Sequence, residues 1–400
     1  MQEYSCRDCF FFFKVFFVII SPSRRSEPVK PASKRPTLVF VSGFLGAGKT
    51  TCIGWLARKL ARGGTRVAIV SNDQSDGLID SQLSELHATG TAQVAGGCFC
   101  CKSGELVEIL KRQTKVLRPD VMLAEPVGSC TDLTATLLHP LRAIYKLPLD
   151  IAPLSVVVDA RRAVSHFAGG GRGKGLAKEV GYIWQKQLEE AEIIVLNKVE
   201  LLTERQLATL RAKLTLAYPK TRLFCTSAAS GSGMREWLDA VLGATTTVSE
   251  TMEVDYSTYA KGEALLGWVN MEAAVKAGAA FAPGELLQRL AESVRKALEK
   301  NGSEIAHFKM SFAAARRAKS ALSVVNVTMN GDPARLSLLG AASATQGKVL
   351  VNLRAEGDPD ELVRVVKDKV RRLRPAMEWE WTRCEAFRPS EPTPTHRIQK

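Results

Sequence analysis

The sequence predicts an α/β fold, a doubly wound and mostly parallel sheet, followed by a smaller α+β domain. Three observations predict it. Short apolar runs recur between helical stretches from Thr37 to Gly243, as parallel strands with crossover helices require. The polar residues that can carry chemistry stand directly after those runs, at the strand ends where open α/β sheets bind ligands. Past a Thr-rich stretch, 244–255, the pattern changes to long amphipathic helices flanked by alternating strands.

Strands of the first domain are readable at 38–41, 67–70, 121–124, 154–158, 193–196 and 222–225. Before the last of these, Thr203 and Gln206 form a capping box for a helix with Leu207, Leu210 and Leu214 inward. The chain therefore divides into an extension (1–35), a first domain (36–243), a linker (244–255) and a second domain (256–400). In the second domain, helices are expected at 284–300 and 358–373. Strands are expected at 304–312, 322–329, 348–354 and 378–387, in a split β-α-β arrangement. Trp379 and Trp381 share one strand face and read as core. His307 lies opposite Phe308, Met310 and Phe312 and reads as part of a solvated face.

The run GFLGAGKTT, 43–51, fills every position of the phosphate-binding pattern G-x-x-x-x-G-K-S/T between a strand and a helix. Gly43, Gly46 and Gly48 let successive N–H groups turn inward, with Ala47 and Thr51 in the same wrap. Lys49 would reach the outer phosphates, Thr50 would sit on Mg²⁺, and the following helix would aim its positive end at the anion. A plain Gly-rich turn is the competing reading. The four filled signature positions favour a nucleoside triphosphate.

Asn197-Lys198-Val199-Glu200 follows the strand 193–196, and Thr226-Ser227-Ala228 ends the next one. The N-K-x-acid pattern places a carboxylate to pair with guanine, while Ser227 and Ala228 resemble the loop resting on the guanine O6. GTP is the expected nucleotide.

Gly96-Gly97-Cys98-Phe99-Cys100-Cys101 and Glu125-Pro126-Val127-Gly128 complete the set. With GFLGAGKTT and NKVE they resemble the CobW-type metallochaperone GTPases, relatives of the nickel-insertion GTPases, over roughly Thr37 to Gly243 and more loosely beyond. The resemblance implies a P-loop GTPase sheet with a CobW-like second domain, and GTP hydrolysis coupled to transfer of a metal ion to a client metalloprotein. It places Glu125 near Mg²⁺, Asp73 in the first switch as a metal-side acid, and Asp80 as a further acid there. The chain departs from the family where the switch reads NDQSDGLID, where EPVG lacks the usual Thr, and where Glu200 and Glu192 replace shorter acids. The first departure puts a ligand role for Asp73 or Asp76 in doubt.

Cys98, Cys100 and Cys101 can converge on one cation, and thiolates favour Zn²⁺ or Co²⁺ over Mg²⁺. Three thiols leave a fourth position open, which suits an ion that must be given away. Packing as small apolar residues, or a redox pair, are the other readings. Cys6 and Cys9 stand outside any recognisable fold, and Cys52, Cys130, Cys225 and Cys384 read as isolated core or near-core residues. Only five histidines occur, none clustered, which argues against bulk metal storage.

Nine cysteines without a pairing pattern point to a reducing compartment, cytoplasmic or organellar. The excess of 55 basic over 41 acidic side chains is dispersed, so a solvated basic surface is expected and nucleic-acid binding is not. The apolar run 10–20 is broken by Lys14 and is short for a membrane span; 21–36 reads as a linker, and 169–175 as a Gly-rich insertion. No firm membrane association is expected, and homodimerisation stays open. Two other readings remain, a maturation module that carries no metal and a P-loop small-molecule kinase. No evident water-positioning side chain exists, so slow intrinsic hydrolysis is expected.

Overall fold

The computed structural model describes residues 35–73, 90–167, 175–246, 250–314, 322–373 and 377–399. Cys6, Cys9, Asp76, Asp80 and all but the last residue of the 169–175 insertion lie outside them, as does the side chain of Asp73.

The first domain is one parallel sheet. Its strands are β1 (Thr37–Ser42), β2 (Val67–Asp73), β3 (Gly90–Ala95), β4 (Val121–Glu125), the short β5 (Asp150–Ile151), β6 (Ser155–Asp159), β7 (Ile193–Asn197) and β8 (Arg222–Thr226). They lie in the order β3-β2-β4-β1-β6-β7-β8, with β5 beside β1. Every pairing is parallel, and β1, β4, β6 and β7 are buried along their whole length. Continuous apolar runs are what a strand covered on both faces demands. Alternation still sorts them: Leu38 and Phe40 enter one core with Met122 and Val156, while Val39 and Val41 enter the other with Ile53, Leu56 and Trp237. Helix α1 (Lys49–Arg62) covers that second face, and each buried large aliphatic there contributes about 1.5–3 kcal/mol. The Thr203–Gln206 capping box is formed on the helix Glu204–Ala217.

The second domain opens with the helix Tyr256–Leu265 and folds as an antiparallel sheet. Its strands are β9 (Leu266–Phe281), β10 (Ile305–Ala314), β11 (Leu322–Val327), β12 (Arg335–Leu338), β13 (Ala344–Glu356) and β14 (Glu378–Phe387), in the order β12-β11-β10-β13-β9-β14. The helix Pro283–Lys300 joins β9 to β10 across β13, and the helix Pro359–Arg371 joins β13 to β14 across β9, so the split crossover occurs twice. Phe308, Met310 and Phe312 of β10, Val349, Val351 and Leu353 of β13, and Val269 and Met271 of β9 pack in the helix-covered core. Trp379 and Trp381 flank that core half-buried, closer to its edge than the expected interior.

The opposite face of this sheet corrects one expectation. His307 does not stand on a solvated face; it lines a cavity shared with the first domain, as do Trp268, Asn326, Asn352 and Arg354. Arg162 donates to the carbonyls of Ile305, Ala306 and Thr328, and Arg161 pairs with Asp332, fastening the sheet to the end of β6. After β14 the chain returns to the first domain, where Ile398 N–H donates to the Ala135 carbonyl. Among the described residues no helix is long and apolar enough to cross a membrane.

Candidate functional site

The cavity holds about 460 Å³, within the range of ligand pockets. Its floor is the loop before α1. Gly48 has φ +99°, and a Cβ there would lie 2.6 Å from the Asn197 side-chain nitrogen, so the position tolerates only glycine. Helix α1 begins directly after it with no side-chain cap and no acidic residue in its first turn. Its first N–H groups and positive dipole end thus suit an anion, with Lys49 at the same end. The Thr50 hydroxyl donates to Glu125 Oε1 at 2.9 Å, giving two adjacent oxygen donors of the kind Mg²⁺ takes.

Asn197 organises the far end. Its Nδ2 donates to the Ala47 carbonyl at 3.0 Å, and its Oδ1 accepts from Ala228 N–H at 3.0 Å. The end of β7 is thereby tied to both the glycine loop and the turn after β8. Lys198 donates to the Gly46 carbonyl at 2.7 Å and to Asp159 Oδ2 at 2.6 Å. Burial alone would raise the Asp159 carboxyl; the Lys198 ammonium and Arg162 outweigh it and hold it below the usual carboxylate range. Glu200 is exposed at the rim, on a short 3-10 turn beginning at Val199.

The structure brings Gly46, Gly48, Lys49, Thr50, Thr51, Glu125, Asn197, Lys198, Glu200 and Ala228 onto one cavity. Three expected site residues stand behind it. Gly43 packs against the β6 backbone at Val157, and the Ala47 N–H bonds the Phe44 carbonyl. Ser227 is buried, with its N–H donating to Ser232 and its Oγ accepting from Ser230 N–H.

The three thiols do converge. Cys98 Sγ lies 2.7 Å from Cys100 Sγ and 3.0 Å from Cys101 Sγ, and Cys100 and Cys101 are 4.0 Å apart. All three are free cysteines and can offer their sulfurs to one ion. Sulfurs around a tetrahedral zinc stand about 3.8 Å apart, so the cluster would open slightly around an ion. Hydrogen bonds from Cys100, Cys101 and Cys130 hold the Cys98 thiol well below the ordinary thiol range. The shared thiol protons, that with Cys101 foremost, and then burial push Cys100 up.

Asn72, at the end of β2, links the two places. It lines the cavity, while its side-chain nitrogen donates to the Val94 and Gly97 carbonyls at 3.0 and 2.7 Å. Its oxygen accepts the Phe99 N–H at 2.6 Å. One buried amide thus fixes the start of the thiol loop.

Residues 37–224 match the family description CobW/HypB/UreG, nucleotide-binding domain. The chain carries a CobW/HypB/UreG nucleotide-binding domain. It is 25% identical over 229 residues to the zinc-regulated GTPase metalloprotein activator 1 of Dictyostelium discoideum, covering 49% of this chain and 46% of that one. To the zinc chaperone CobW of Pseudomonas aeruginosa it is 28% identical over 228 residues, covering 49% and 58%. The chain thus spans about half the length of these curated relatives. The Zn(II)-bound YjiA GTPase of Escherichia coli aligns over 84% of this chain and 99% of its own, at 13% identity and a TM-score of 0.36.

Around this CobW/HypB/UreG domain, other parts of the chain supply contacts that the motifs did not announce. The second sheet places Lys309, Arg335 and Arg354 on the cavity, and Arg354 lies 4.0 Å over the Trp268 ring. The polar residues His307 and Lys309 at alternate positions of β10 were the available signal; what covers that face was not. The tail also closes on the thiol loop. Thr395 donates its N–H to the Cys100 carbonyl and its hydroxyl to the Cys101 carbonyl, both at 2.9 Å, and Arg397 pairs with Asp132 at 2.7 Å.

Proposed function

We propose that this protein is a GTP-binding and GTP-hydrolysing metallochaperone. It couples nucleotide state to binding of a thiophilic divalent ion, Zn²⁺ or Co²⁺, at Cys98, Cys100 and Cys101, and hands that ion to a client metalloprotein. The observation that carries this reading is the double attachment of Asn72, which faces the phosphate cavity and clamps the sulfur loop. The zinc-chaperone names of the curated relatives support the choice of cargo.

Lys49 and the first N–H groups of α1 would bind and orient the outer phosphates. Thr50 and Glu125 would hold Mg²⁺, which neutralises charge on the transferred phosphoryl group; Asp73 is assigned to the same side of the site. Asn197 keeps the glycine loop and the 226–228 turn in register, so that Glu200 can pair with guanine at the rim. No carboxamide or other water-positioning group is assigned, which fits slow intrinsic turnover. Loss of the terminal phosphate would free the end of β2 and, through Asn72, loosen the sulfur loop. Isothermal titration of guanine nucleotides into the full chain, with zinc stoichiometry measured on wild type and on C98S/C100S/C101S, tests the reading. Nucleotide binding with no zinc in wild type would leave only a nucleotide-regulated maturation module.

A further inference from the structure

The second domain reaches the phosphate loop itself. Gly46 has φ +75°, and a Cβ there would lie 3.2 Å from both the Ala306 carbonyl oxygen and the Thr328 side chain. Arg162, which donates to the carbonyls of Ala306 and Thr328, lies over the Phe44 ring at 5.4 Å, so one side chain fastens loop and sheet together. From Ala306, β10 runs on along the cavity. Lys309 stands three residues further, about 10 Å along an antiparallel strand and within the length of a nucleoside triphosphate.

Strand register gathers polar groups around Lys309. It pairs with Asn326 of β11 on one side and with Asn352 of β13 on the other, and Asn326 pairs in turn with Arg335 of β12. In the adjoining row His307 pairs with Arg354. All six line the cavity, and Lys309 and Arg354 are only 6% and 4% exposed. Arg354 is held in place by the Val269 carbonyl at 3.0 Å and Asn270 Oδ1 at 2.8 Å. Among the described residues, the acid this domain brings to the cavity is Asp332, which pairs with Arg161. Cations contributed by both domains thus focus a positive potential on one enclosed space, which favours a polyanion.

We infer that Lys309 is a phosphate-binding residue of the nucleotide site, so that GTP is held by both domains at once. This inference rests on the GTP-binding reading above and deepens it. Asn326 and Asn352 flank the ammonium, and Arg354 adds to the same field. The number of phosphates is then read by the second sheet as well as by the loop before α1.

A GTP acyl phosphate, which transfers its acyl group to lysine amines beside the phosphates, tests this on the wild-type full chain with Mg²⁺. Peptide mass spectrometry should find the acyl group on Lys309 as well as on Lys49, and excess non-hydrolysable GTP analogue should suppress both. In titration calorimetry, K309M should bind that analogue at least about tenfold more weakly, the loss of one charge-assisted hydrogen bond, and K309R should recover most of the affinity. Acylation of Lys49 without Lys309, or a K309M chain that binds the analogue as wild type does, overturns the inference and leaves GTP binding by the first domain intact. A wild-type chain that binds no guanine nucleotide overturns both.

Discussion

The Thr50 hydroxyl and Glu125 Oε1 stand 2.9 Å apart, joining the first turn of α1 to the end of β4. Parallel pairing of β1 with β4 sets that distance, because Phe40 is in register with Ala124. If these two oxygens hold Mg²⁺, T50A and E125Q should each cut Mg²⁺-dependent GTP hydrolysis by about a hundredfold while leaving the thermal transition close to wild type. Steady-state phosphate release checks this. Unchanged turnover in both variants contradicts the assignment.

Asn72 makes three hydrogen bonds to the backbone around the thiol loop, at 2.6–3.0 Å. N72A should cost about 1–3 kcal/mol of stability, since buried partners are left unsatisfied. It should also bring zinc affinities in the GTP-analogue and GDP states together. Chelator competition in both states reads this. A variant whose zinc affinity still follows the nucleotide would move the coupling away from Asn72.

Glu200 sits exposed at the cavity rim, on the turn after β7. E200A should lower the preference for GTP over ATP by about two orders of magnitude, because a site built to pair a polar group discriminates strongly against analogues lacking it. E200D, the shorter acid, should retain the preference. Nucleotide competition in a binding assay distinguishes them.

Burial, with the neighbouring Asp132 charge, pushes the Glu190 carboxyl up to about 8, although Leu133, Thr134 and Thr131 donate to it. The unfolded chain therefore gives up this proton at lower pH than the folded one does. Its contribution to stability is fully present below the unfolded value of 4.5 and is lost as pH rises through about 8. Denaturant midpoints should fall across that window, and E190Q should flatten the decline. A midpoint that rises with pH between those limits would contradict the direction.

Much of the phosphate-side architecture was legible because it is local. GFLGAGKTT needs only a strand before it and a helix after it, and NKVE needs only the end of β7. What stayed hidden depends on sheet order. Asn72 reaches Gly97 and Phe99 because β2 lies beside β3, a neighbourhood that no spacing in the sequence expresses. β9 escaped notice because its second half, Val275-Lys276-Ala277-Gly278-Ala279-Ala280, is small-sided and mostly exposed, without a β-branched run. His307 shows the same limit from the other side. Alternation correctly put it opposite Phe308, but only the packing of two domains decides whether the polar face meets solvent or a cavity.

In the proposed coupling, the terminal phosphate of GTP controls the sulfur site at Cys98, Cys100 and Cys101. Zinc affinity of the full chain, measured by chelator competition with Mg²⁺ and either a non-hydrolysable GTP analogue or GDP, tests it most directly. Binding at least about tenfold tighter with the analogue is expected, a coupling of about 1.4 kcal/mol. Equal affinities in the two nucleotide states would contradict it.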